Sequence, residues 1–238
     1  MKRKILSTIL ATLSTTWLAG GLARGAEAPS PAGTVSLTAA SAYVFRGATL
    51  NDRAVLQPAL EAEVAPGLTL GVWANFDLDR KAGADRQFSE VDLAVSYALD
   101  WKGLSLTPSY TEYLYPNTEA EADREVGLTL ALDVPLSPSV ALAYGVGGAV
   151  EKSLYIEPGL SAGVELAEGL SASLEAKVGY IVPDEGDSGF SHYALTAGLA
   201  YGPAAVSLTY YGQLDDKVLS DEAYDTRWVV SLTWSRSF

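Results

Sequence analysis

Cysteine is absent from the 238 residues, and histidine and methionine occur once each. Without cysteine there is no disulfide framework, no thiolate metal site, no iron–sulfur cluster and no thiol nucleophile. A lone His192 excludes a multi-histidine metal centre or proton relay. Bases are few: 16 Lys and Arg stand against 29 Asp and Glu, a formal charge of −13. That balance excludes the basic surface a nucleic-acid partner requires. Long apolar runs are missing as well. A helical membrane span needs about 20 apolar residues, and nothing beyond the N-terminal region approaches that. Any membrane crossing must therefore use strands.

The N-terminus has its own pattern. Lys2, Arg3 and Lys4 precede a short apolar stretch rich in Ser and Thr, Ile5 to Ala19, and small residues follow. This order reads as a secretory signal peptide over residues 1–25, with Ala23-Arg24-Gly25 and Arg24-Gly25-Ala26 competing as processing sites. The alternative, an anchor helix, needs a longer apolar stretch. Residues 26–238 then form one domain. It is more acidic than the whole chain, because four bases leave with the signal and no acid does.

The rest of the chain repeats one theme: alternate apolar positions over about ten residues, then a turn. Val126, Leu128, Leu130, Leu132 and Val134 alternate with Glu125, Gly127, Thr129, Ala131 and Asp133. Leu170, Ala172, Leu174, Ala176, Val178 and Tyr180 alternate with Ser171, Ser173, Glu175, Lys177 and Gly179, and Trp228 to Trp234 behaves alike. Period two is the strand signal. About twelve segments start near Thr34, Arg53, Leu68, Phe88, Leu104, Arg124, Val140, Leu154, Leu170, Phe190, Ala204 and Asp225.

Short and longer connections alternate. Ala65-Pro66-Gly67, Asp100 to Gly103, Pro135 to Pro138, Ala167 to Gly169 and Gly202-Pro203 are tight; Gly47 to Asp52, Leu78 to Gln87, Pro116 to Asp123, Glu151 to Ser153, Pro183 to Ser188 and Leu214 to Tyr224 form the other set. The fold expected is all-β: a transmembrane up-and-down antiparallel β-barrel of about twelve strands, with ten as the alternative. Closure removes unpaired backbone edges, each of which hydrocarbon penalises by several kcal/mol. Aromatics gather near strand ends, among them Tyr43, Phe45, Phe76, Tyr97, Tyr144, Tyr210, Trp228 and Trp234. Tyr and Trp favour membrane interfaces. A secreted β-sandwich, whose strands also alternate, is the competing architecture.

Tyr43-Val44-Phe45-Arg46-Gly47-Ala48-Thr49, then Gln57, Gly71-Val72-Trp73-Ala74-Asn75, Glu90-Val91-Asp92, Tyr113 to Pro116, His192-Tyr193, Tyr210-Tyr211 and Arg227 to Ser231 occur in this order before the terminal Phe238. The series resembles the TorF family of porin-like outer-membrane proteins, over nearly the whole mature chain. The resemblance implies a signal-bearing barrel of the bacterial outer membrane. A terminal Phe238 resembles the ending of such barrels and implies handling by the barrel-assembly machinery.

Parity sorts the side chains. If the apolar set faces lipid, the other faces a lumen. Arg46, Gln57, Glu61, Asp77, Glu90, Asp92, Glu125, Glu157, Glu175, Lys177 and Arg227 are the candidate pore-lining residues, and Glu63, Asp133 and Glu165 share their parity. An acid-lined passage attracts cations; a static network with Arg46, Lys177 and Arg227 is the plainer reading. Arg46, placed near the outer end of strand one, suits either a constriction or a structural pairing with a lumen acid such as Glu90 or Asp92. Small lumen residues, including Ala141, Ala143, Gly145 and Gly147, leave space within a barrel whose size lies between filled and open.

No enzymatic chemistry is expected. Ser191 and His192 are adjacent, and on a regular strand neighbours point to opposite faces, so they cannot pair; no Gly-x-Ser-x-Gly motif is present. Asp184 to Asp187 lacks the EF-hand spacing and reads as a solvated loop. No cofactor or metal is expected. The function expected is passive diffusion of small solutes through a porin-like, cation-preferring channel of the bacterial outer membrane, reached by export through the periplasm. Its partners would be membrane lipid and lipopolysaccharide. A structural or adhesive barrel with a closed lumen is the alternative, and an outer-membrane hydrolase a remote one.

Overall fold

The computed structural model describes residues 32–79 and 86–238, so the expected signal peptide lies outside the described residues. The strands are β1 (Gly33–Ala40), β2 (Tyr43–Phe45), β3 (Ala48–Asn51), β4 (Val55–Ala65), β5 (Leu68–Asp77), β6 (Gln87–Tyr97), β7 (Leu99–Trp101) and β8 (Leu104–Leu114), followed by β9 (Asp123–Leu132), β10 (Ser139–Gly147), β11 (Leu154–Ala167), β12 (Leu170–Val182), β13 (Gly189–Tyr201), β14 (Ala204–Gln213) and β15 (Trp228–Ser237). One 3₁₀ turn, Gly148–Val150, follows β10. β7 continues β6 past Ala98, so the two make one stave. Each stave pairs antiparallel with its sequence neighbours, β6 pairs β8, and β1 pairs β15. The result is a closed barrel of twelve strands. At the seam Gly33 and Phe238 exchange two backbone hydrogen bonds of 3.0 and 2.9 Å.

Ten of the twelve strand starts anticipated from periodicity lie within one residue of the observed ones. The predicted turns gather at two ends. Five tight turns, the start of β1 and the end of β15 form one rim; the longer loops form the other. Gly67, Gly103, Gly169 and Gly202 take positive φ values of 77°, 85°, 73° and 55° in four of the tight turns, where glycine carries no steric cost.

Burial follows parity. Thr129, Glu125, Glu157, Thr196, Thr209, Ser231 and Thr233 are buried inside, while Val126, Leu132, Leu160, Leu174, Leu195, Leu208, Val230 and Leu232 are exposed outside. This is the reverse of a water-soluble protein, whose apolar set would be the buried one. The outer aliphatic band is flanked by aromatics at both rims. Tyr97, Trp101, Tyr201, Trp234 and Phe238 stand at the tight-turn rim; Phe88, Tyr144, Phe190 and Trp228 stand at the long-loop rim, all exposed.

The first long connection departs from expectation. β1 stops at Ala40 instead of running through Phe45. The chain then turns inward and β2 and β3 form a hairpin inside the barrel, paired Phe45↔Ala48. Tyr43 and Val44 are buried there, and Phe45 is partly buried against the same cluster. Tyr43 and Phe45 therefore do not belong to the outer aromatic belt. Their apolar side chains found a dry partner within: Tyr43 and Val44 pack with Ala40, Ala42, Val55, Trp73, Ala194, Tyr211 and Val229 in an apolar cluster of the interior.

Candidate functional site

The hairpin turn consists of Arg46 and Gly47, with φ of +50° and +84°. Two central residues at positive φ make the tight turn whose twist suits a two-residue hairpin. Asn, Asp or Gly normally fill its first position. Arg46 there is strained, and its contacts explain why it stays. Its Nη1 and Nη2 donate to the two carboxylate oxygens of Glu125 at 2.7 and 2.6 Å. Its guanidinium stacks 4.3 Å from the Tyr155 ring and 4.7 Å from Phe45. A bidentate fork of this kind fixes geometry as well as charge. Tyr113 donates a third hydrogen bond to Glu125, at 2.8 Å.

The plainer reading of Arg46, a pairing with a lumen acid, is what the structure shows, but two details need correcting. It is not on strand one, and its partner is Glu125, not Glu90 or Asp92. The inward turn carries Arg46 across the lumen to β9.

The hairpin crosses the whole lumen. It is rooted between β1 and β4, and in the ring of twelve the strands opposite are β10 and β11. Its tip meets Glu125 on β9 and Tyr155 on β11. Between them β10 presents Ala143 beside Tyr155 and Gly145 beside Glu125. Gly145 is glycine for another reason: the backbone of Val150 in the 3₁₀ turn packs where its Cβ would stand. Along its flank, Tyr43 donates to Glu90 on β6 at 2.9 Å. Gly47 lies so close to His192 on β13 that an added Cβ would stand 2.6 Å from the ring. β6 and β13 are six strands apart, on opposite walls.

The hairpin is also held from the long-loop rim. Thr49 donates its backbone N–H to Ala223, and its hydroxyl accepts from Thr226 at 2.9 Å. Asn51 donates to Asp77 at 2.7 Å, within a chain of amides and acids: Gln57 donates to Asn75, which donates to Asp77 and Ser89.

The remaining candidates distribute as follows. Lys177 on β12 bridges Glu175 at 3.0 Å and Glu157 at 3.7 Å, and Tyr155 also donates to Glu157. Asp92 is buried beside Glu90 on β6. Glu61 is only half-buried. Arg227 is exposed at the long-loop rim, its guanidinium 5.6 Å from the Tyr224 ring, because β15 begins one residue later. Glu165 and Asp133, which share lumen parity, are exposed near the tight-turn rim.

Asp123 was not singled out from sequence. It accepts from Tyr115 at 2.6 Å and from the Ala149 backbone N–H, joining two long-loop connections. Burial raises the Tyr115 phenol above its ordinary pKa, and the hydrogen bond to Asp123 adds to the shift.

Ser191 and His192 overturn another expectation. Both are buried, and Ser191 Oγ lies 3.0 Å from His192 Nδ1. The cause is a bulge: His192 pairs Gly179 while Phe190 pairs Tyr180, so Ser191 is an extra residue and both side chains turn inward. Ser191 also donates to the Gly179 carbonyl at 3.2 Å. Which atom donates between Oγ and Nδ1 depends on the tautomer of His192. Gly47 covers the ring. Gly179 packs against it from the neighbouring strand. Among the described residues no group of three or more His, Asp or Glu side chains is arranged to hold a metal ion.

Residues 25–238 match a bacterial family described as "Bacterial protein of unknown function (Gcw_chp)". No curated protein matches the chain. Among solved structures, an outer membrane channel from Pseudomonas putida aligns over 89% of this chain and 97% of its own, at 11% identity and a TM-score of 0.50. A structure concerned with in-meso crystallization of membrane proteins aligns over 87% and 84% at 12% identity, with a TM-score of 0.49. A Rh. blastica porin variant aligns over 87% and 98% at 12% identity, with a TM-score of 0.30. At these identities the likeness to the first of them concerns the fold alone, a closed antiparallel β-barrel.

Proposed function

The chain belongs to the Gcw_chp family of bacterial proteins, and from its barrel we propose that it is a porin-like channel of the bacterial outer membrane. It passes small solutes by diffusion and favours cations. It reaches that membrane by export through the periplasm, behind the signal peptide read at residues 1–25. The observation that carries this reading is the inverted burial: polar and acidic inside, aliphatic outside, aromatics at both rims. Only a wall between hydrocarbon and water favours that arrangement.

Cation preference rests on the interior charges. Asp77, Glu90, Asp92, Asp123, Glu125 and Glu157 are buried inside, with Arg46 and Lys177 as the bases among them. A low-dielectric wall around net negative charge concentrates cations. The resemblance to TorF porin-like proteins at Tyr43–Thr49 and Gly71–Asn75 supports the same reading. The pore-lining candidates of the sequence, from Arg46 and Gln57 through Arg227, are proposed as its polar surface, with Arg227 at the mouth. Lipid and lipopolysaccharide surround it, and Phe238 is its signal to the barrel-assembly machinery.

The hairpin across the lumen favours a second reading, a structural or adhesive barrel closed to solutes. Single-channel recording in planar bilayers under a KCl gradient separates the two. Discrete conductance steps with a reversal potential toward that of K⁺ are expected. Absence of steps supports the closed barrel, and a reversal toward Cl⁻ removes the cation preference.

A further inference from the structure

Beyond that reading, and resting on it only for which side of the membrane the tight turns face, we propose that the unpaired end of β11 is a docking edge for an extended, basic segment of another periplasmic polypeptide. Around the tight-turn rim, neighbouring hairpins are bonded to their ends. Gly67 accepts from the backbone of Ala98, Gly103 from Asp133, Gly169 from Gly202 and Pro203 from Ser235. One stretch lacks such a neighbour. β10 begins at Ser139, opposite Gly159. The turn before it reaches β11 once more, where Ser161 donates to the Leu136 carbonyl at 2.9 Å. β11 then runs six residues further, to Ala167, paired only with β12. Backbone groups alternate sides along a strand, so the N–H and C=O of Gly163 and Glu165 point where those of Ser161 point. Among the described residues no backbone group pairs with them on that side. Ala162 to Ala167 are exposed in unbroken succession.

Gly163 marks the point of approach. At Gly145 and Gly179 an added Cβ would collide with the Val150 backbone and the His192 ring. At Gly163 φ is not positive, and the added atom would meet only the Ala172 carbonyl, at 3.7 Å. The barrel itself gives no reason for glycine there, whereas close approach of another backbone does. A row of free main-chain groups recognises an extended chain, and side chains add the selection. Val164 and Leu166 stand on the outer face, both exposed, and Glu165 stands on the other. Glu168 in the turn that follows β11 and Asp133 in the turn after β9 are exposed as well. An added strand that alternates apolar residues with Lys or Arg complements both faces. A second copy of this chain does not fit. Copies in one membrane share their orientation, so the axis relating them follows the membrane normal. Antiparallel pairing of β11 with itself needs a two-fold axis perpendicular to the sheet, which would invert one copy. Parallel pairing needs an axis along a strand tilted by about 35–45°, which would tip one barrel onto its side.

The test uses the full folded chain in detergent micelles and two short capped peptides, one alternating Val with Lys and the other Val with Glu. The Val/Lys peptide should slow amide exchange at Gly163 and Glu165, read by NMR, by more than about tenfold. Ala162 and Val164, which face β12, should not change. Gly163→Pro removes a donor on the free side and leaves the ladder to β12 intact. It should weaken binding of the Val/Lys peptide, read by fluorescence anisotropy, by about tenfold. Glu165→Lys should reverse the preference between the two peptides. Equal binding to the wild type and to an assembled Gly163→Pro barrel overturns the proposal, because adsorption to the micelle gives that result. Absence of binding at millimolar peptide overturns it too, as does fast exchange at Gly163 and Glu165 with peptide bound. If Gly163→Pro gives no heat-resistant folded band in gels, N-methylation of alternate peptide nitrogens replaces it. The methylated peptide should then lose affinity, and undiminished affinity overturns the proposal. None of these readouts depends on conductance, so failure of the channel reading and failure of the docking edge are told apart.

Discussion

Tyr43 donates its phenol to Glu90 at 2.9 Å, and the two residues stand 47 positions apart in sequence. One belongs to the hairpin and the other to the wall. The bond ties the flank of the hairpin to β6, as Arg46 ties its tip to β9. Tyr43→Phe keeps the ring against Trp73, whose centroid is 5.5 Å away, and removes only the donor. The buried carboxylate then loses a partner, which costs about 1–3 kcal/mol. Urea unfolding in detergent micelles should show a lower midpoint, with the slope unchanged.

Arg46→Ala removes one partner of a buried ion pair. The expected loss is larger, about 3–5 kcal/mol, because the Glu125 carboxylate stays buried without its cation. Arg46→Ala with Glu125→Ala should recover part of it. A double-mutant cycle on the same unfolding midpoints measures the coupling; strict additivity of the two single losses would contradict the bidentate contact.

Gly47→Ala meets two obstacles. Its φ of +84° disfavours any side chain, and the new methyl would sit 2.6 Å from the His192 ring. Gly103→Ala is the control, since its φ is +85° and nothing lies within 4 Å of the added atom. The positive φ alone costs about 1–2 kcal/mol. Gly47→Ala should therefore lower the temperature at which the barrel loses its compact gel mobility more than Gly103→Ala does.

Ser191→Ala should be mild and His192→Ala severe. Ser191 contributes a hydrogen bond of about 1 kcal/mol, while loss of the fully buried imidazole leaves a cavity against Gly47 and Gly179. Neither substitution should alter turnover of a chromogenic ester by the reconstituted protein. An esterase activity that vanished with Ser191 would restore the hydrolase reading.

Much of the barrel was legible because alternation reports two different surroundings. Ser171 to Lys177 and Leu170 to Val178 sort to their faces without reference to any neighbour. The hairpin was not legible from parity. Tyr43 and Phe45 alternate just as lipid-facing residues do, and an apolar pocket inside the barrel satisfies them equally. A local signal was present: a two-residue Arg-Gly turn between Tyr-Val-Phe and Ala-Thr-Leu has the outline of a tight hairpin. The bulge at Ser191 left no such trace, since the extra residue is defined only by the register against Gly179 and Tyr180. Glu125 was a candidate, but its pairing with Arg46 arises from a turn that only the closed cylinder shapes.

The seam where Gly33 meets Phe238 has a consequence for biosynthesis. Until β1 and β15 pair, the sheet is a ribbon with two bare edges, and such edges invite pairing with any extended chain nearby. The two strands lie at opposite ends of the barrel's sequence, so both edges stay bare until the last strand is in place.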